Sequence, residues 1–102
     1  GWHVPLDGEE RVAKTGRVGL SFDEMVESAS VHEGSVRVWT QEGPVSGRFN
    51  VQEGIVNFTP DEPFLADTVV YVEVPAGGVA DLSGNPIEQP LLFSFSTGVF
   101  EQ

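Results

Sequence analysis

Asp81, Ser83 and Asn85 occupy alternating positions in a glycine-containing loop, Asp81-Leu82-Ser83-Gly84-Asn85. Calcium takes about six to eight oxygens from carboxylates, amides and carbonyls. This spacing is therefore the chain's candidate calcium site. Asp61 and Glu62 offer carboxylates in a second loop, and Asp7, Glu9 and Glu10 in a third. The competing reading is a plain turn, in which Asp and Asn satisfy nearby backbone groups and Gly accepts a positive φ. The loop also lacks the fuller acid run and closing glutamate of an EF-hand. A second candidate is aromatic. Trp39 falls out of phase with Val36 and Val38, and Tyr71 with Val70 and Val72. Side chains alternate across a strand, so both rings point away from the core. If their strands are neighbours, Trp39 and Tyr71 form with Arg37 an exposed patch able to stack on a sugar or a protein partner. Otherwise Trp39 covers a sheet edge or an adjacent domain.

Catalytic constellations are wanting. There are no cysteines, which excludes disulfides, thiolate metal sites and a cysteine nucleophile. The histidines are His3 and His32, both expected in solvent, and no Gly-x-Ser-x-Gly turn accompanies them. Zinc spacings and a phosphate-cradling glycine loop are missing too. The chain is expected to be no enzyme and to carry no cofactor, calcium being the one ion its residues admit.

Charge narrows the partners. Sixteen Asp and Glu against five Lys and Arg give a formal charge of −11 in 102 residues. Nucleic acids are held by clustered Lys and Arg that displace counterions; here the basic residues are few and scattered, so no nucleic-acid partner is expected. An anionic membrane surface would repel the chain. No apolar run approaches the ~20 residues that span a bilayer. Self-repulsion favours a monomer.

The elements that must position these residues repeat with period two. Val18-Leu20-Phe22, Val36-Val38-Thr40, Phe49-Val51, Val56-Phe58, Val70-Val72-Val74 and Leu91-Phe93-Phe95 each alternate with outward residues. An irregular further strand is expected in Trp2 to Leu6. Gln41-Glu42-Gly43-Pro44, Gln52-Glu53-Gly54, Pro60-Asp61-Glu62-Pro63, Ala76-Gly77-Gly78 and Ser83-Gly84-Asn85-Pro86 read as turns. One weak helical turn is expected within Ser21 to Ala29. Phe22, Phe49, Phe58, Phe93 and Phe95 are expected in the core, and Phe64 with Leu65 as a plug at one end. Short strands at near-regular spacing predict an all-β antiparallel sandwich of about seven strands.

Four segments also resemble, in order, the bacterial Ig-like domains of the type named after S-layer proteins. They are Val18-Gly19-Leu20-Ser21-Phe22-Asp23-Glu24-Met25, Val56-Asn57-Phe58-Thr59-Pro60, the loop Gly78 to Pro86, and Phe93-Ser94-Phe95-Ser96-Thr97-Gly98. The resemblance runs from about Pro5 to Gly98. It implies an all-β, Ig-like antiparallel β-sandwich with Greek-key connections, and with it a non-catalytic spacer or positioning module of a larger secreted or cell-surface bacterial protein. Partners would be neighbouring domains, or a cell-surface carbohydrate or protein; a calcium-stiffened adhesin repeat is a further alternative. The chain opens Gly1-Trp2-His3 without an initiator methionine, so residues 1–102 read as one domain of a longer protein, with residues from Gly98 on as linker. A module threaded in an array should receive its chain at one end and release it at the other.

Overall fold

The computed structural model describes residues 2–88 and 90–99. Eight strands form two antiparallel sheets. They are β1 (His3–Val4), β2 (Val18–Ser21), β3 (Arg37–Thr40), β4 (Gly43–Pro44), β5 (Gly47–Gln52), β6 (Ile55–Pro60), β7 (Val69–Val74) and β8 (Leu91–Ser96). Sheet 1 runs β1-β2-β6-β5 and sheet 2 runs β4-β3-β7-β8. The strand count exceeds the expected seven because Gly43–Pro44, expected to lie in a turn, makes a two-residue strand against Trp39 and Thr40. Proline is admitted there because β4 is an edge and needs no outward N–H.

Alternation does what period two demands. Val18, Leu20, Val36, Val38, Val56, Phe58, Val70, Val72, Val74, Phe93 and Phe95 are buried between the sheets. Their strand neighbours on the outer faces of β6, β7 and β8 are more exposed. Phe22 and Phe49, expected in the core, are only half-buried against its margin. Phe64 is buried and meets Phe95 edge-on at 5.8 Å, but Leu65 is 55% exposed, so the expected plug is Phe64 alone. Leu65 instead contributes its carbonyl, which accepts from the buried Thr97 hydroxyl at 2.6 Å. The helical turn lies later than expected, a 3-10 turn at Ser28–Ser30. Glu27 caps it, and Ser30 Oγ ties it to the Ala80 backbone. The expected linker from Gly98 onward lies outside the described residues from position 100.

Register fixes the poles of the sandwich. Ser21 pairs with Ile55 and Val18 with Phe58; Val74 pairs with Leu91 and Val69 with Ser96. Trp2 lies at the first pole, its carbonyl accepting from Ser21 N–H at 2.8 Å. Gly98 lies at the other, bonded to Val12 and Asp67. Between them the leading segment leaves sheet 1 after β1 and runs along the edge of β8.

Candidate functional site

The outer face of sheet 2 carries the aromatic candidate. Trp39 pairs with Tyr71 across β3 and β7, and Arg37 pairs with Glu73. The two rings stack at 5.4 Å between centroids and 17° between planes. Tyr71 is 38% exposed and Trp39 half-buried. Arg37 Nη1 meets Glu73 Oε1 at 3.4 Å in a solvent-exposed ion pair, an arrangement that contributes about 0–1 kcal/mol. Thus Arg37, Trp39 and Tyr71 do come together on one face. Stacking presses one face of each ring against the other, which gives the pair a structural role as a cross-strand contact.

The Asp81 loop takes a different form. Asp81 Oδ1 accepts from the backbone N–H groups of Ser83 and Asn85, each at 2.9 Å. Asn85 Nδ2 approaches Asp81 Oδ2 at 3.5 Å. Gly84 adopts φ +86°. The three candidate residues are therefore brought together, with Ser83 and Asn85 acting through backbone donors. Glu24 reaches the same carboxylate. The hydrogen bond that the protonated Glu24 carboxyl donates to Asp81, with the repulsion of the Asp81 charge, raises Glu24 above the ordinary carboxylate value. Asp81 is held below its own ordinary value, chiefly by the Asn85 N–H, with burial opposing. Among the described residues no group of three or more His, Asp or Glu side chains is placed to hold a metal ion.

His3 departs from the expected solvated histidine. Its ring stacks on Phe93 at 3.8 Å and its Nδ1 donates to the Pro5 carbonyl at 2.8 Å. It closes the flank between β1 and β8, a role no spacing in the sequence signals. His32 is exposed as expected; its Nδ1 accepts from Gly34 N–H. Beside His3, a cavity of about 570 Å³ opens against Trp2, Phe22, Glu24, Ile87 and Leu91.

Residues 2–97 match the family model of the bacterial Ig-like domain. The chain belongs to the bacterial Ig-like domain family. Solved structures agree on the fold. An L,D-transpeptidase from Mycobacterium smegmatis superposes with a TM-score of 0.68 at 25% identity, over 96% of this chain and 38% of that one. L,D-transpeptidase 3 from Mycobacterium tuberculosis gives 0.62 at 23%, over 95% and 36%. The N-terminal part of the bacterial S-layer protein SbsC gives 0.64 at 12%, over 90% and 23%. This Ig-like domain thus spans well under half the length of the solved chains it resembles. Comparison with curated protein sequences found no match. Among the described residues no helix is long and apolar enough to cross a membrane.

Proposed function

We propose that this Ig-like domain is a non-catalytic positioning module within a longer secreted or cell-surface bacterial protein. The observation that carries the reading is polarity: the chain enters beside Ser21 at one pole and leaves beyond Ser96 at the other. A sandwich traversed in this way holds its two neighbours in the chain a domain's length apart. Its likeness to segments of transpeptidase and S-layer chains supports the same reading. The described residues offer no nucleophile-base-acid constellation, since His3 is stacked on Phe93 and His32 closes a turn. The test places the domain between a cell-surface anchor and a reporter. Replacing it by an unrelated sandwich of similar length should preserve the reporter's reach, and deleting it should shorten that reach. Loss of function on replacement, with length kept, would contradict a positioning role.

A second reading is a carbohydrate- or protein-binding module. The co-facial Trp39 and Tyr71 beside Arg37 favour it. It predicts that soluble glycans or a partner quench Trp39 fluorescence, and that Tyr71→Ala weakens the effect. Unchanged Trp39 emission with every glycan and partner tested would contradict it.

A further inference from the structure

Sheet edges expose unpaired backbone groups that invite another strand, and folded proteins blunt them. Three of the four edges here are blunted. β1 has two residues. β4 has two and ends in Pro44. β8 is sheltered by the leading segment: Gly8 N–H donates to Ser94 O, Ser96 N–H to Glu9 O, and Ser94 N–H to Asp7 Oδ1. β5 has none of these devices. It runs for six regular residues, Gly47–Gln52, with no proline.

Hydrogen-bond parity shows which groups are open. Asp61 N–H donates to Ser46 O, and the Glu53-Gly54 turn closes the pair Gln52–Ile55. Arg48, Asn50 and Gln52 therefore bond to β6, and the backbones of Gly47, Phe49 and Val51 face outward. Among the described residues, no backbone group outside the sheet 1 ladder bonds to these three.

Next to this edge the sandwich is open. β4 stops at Pro44, and a cleft of about 390 Å³ lies between β5 and β3, walled by Val36, Val38, Val45, Phe49 and Phe58. Acid flanks the edge at both ends, Glu53 following β5 and Asp61 tied to Ser46 just before it, and Glu33 lines the cleft, against the exposed Arg48 within the strand and Arg37 beside the cleft. A second copy would bring −11 against −11, whereas a basic strand is attracted.

We propose that the outer edge of β5 docks an extended, basic strand of a partner protein. That strand would add to sheet 1, bond the backbones of Phe49 and Val51, and insert its core-side apolar side chains into the cleft. The proposal does not depend on the positioning role. Its test is a titration of the isotope-labelled chain with a short synthetic peptide that alternates valine with threonine and carries lysine at both ends. Amide spectra should show saturable shifts centred on residues 47–51, with slowed hydrogen exchange at Phe49 and Val51. A glutamate-ended peptide, and the lysine peptide methylated on alternate backbone nitrogens, should each bind several-fold more weakly. The proposal is overturned by absence of saturation, by shifts centred on Tyr71 and its neighbours on the outer face of sheet 2 instead, or by equal binding of either control. It is also overturned if the chain alone dimerises and protects the same amides.

Discussion

Gly47 has no side chain because Phe58 occupies the space. A Cβ built there would lie 2.6 Å from the Thr59 carbonyl and closer still to the Phe58 ring. Gly47→Ala must push either the ring or the strand, and overpacking of this kind costs roughly 1–3 kcal/mol. Urea unfolding should show that loss; an unchanged midpoint would mean the ring yields freely. The Trp39–Tyr71 stack can be weighed by a double-mutant cycle with alanine. Coupling of about 0.5–1.5 kcal/mol is expected for an aromatic pair, and strict additivity would deny the contact. The Glu24–Asp81 pair gives stability opposite pH slopes. Asp81, held low, contributes stability that is present above its unfolded value and lost as pH falls through its folded value. Glu24, held high, contributes stability present below its unfolded value and lost as pH rises through its folded value. Glu24→Gln keeps a donor for Asp81 at every pH. Melting curves should therefore show wild type losing ground to this variant as pH climbs past the raised Glu24 value, and parallel profiles would contradict the pairing.

At the scale of elements, the cover on β8 is specific and testable. Asp7→Ala removes the acceptor for Ser94 N–H. The expected outcome is faster amide exchange at Ser94 and a loss of about 1 kcal/mol; unaltered exchange would show that Gly8 and Glu9 shelter the edge without it. Phe64→Ala should cost roughly 3–5 kcal/mol in denaturant unfolding, because the ring is buried against Phe95. The inward sets of β2, β3, β6, β7 and β8 were legible in the sequence, since a half-buried strand writes its buried face as alternation. The outward phase of Trp39 and Tyr71 was legible for the same reason. Their stacking was not, because it depends on the register of β3 against β7. Nor was β4, whose Gly43-Pro44 carries turn chemistry and becomes a strand only by lying against Trp39 and Thr40. His3 could not be assigned from spacing either, because its partner Phe93 lies at the far end of the chain. Asp81 admitted two readings, and its backbone donors became visible only with the loop folded.

The whole molecule extends 43 × 22 × 22 Å, about twice as long as it is wide. Two sheets of four strands share one valine- and phenylalanine-rich core, and the leading segment passes from one sheet to the other. That crossing lets one strand end receive the chain while the other releases it. The net charge of −11 disfavours self-association, and under the proposed positioning role length in an array would come from covalent threading through opposite poles. Small-angle X-ray scattering of one, two and three directly linked copies tests this polarity most directly. Entry and exit at opposite poles predict a maximum dimension that grows by a constant increment with each added copy. Copies that fold back into a compact particle, with little growth from two to three, would contradict it.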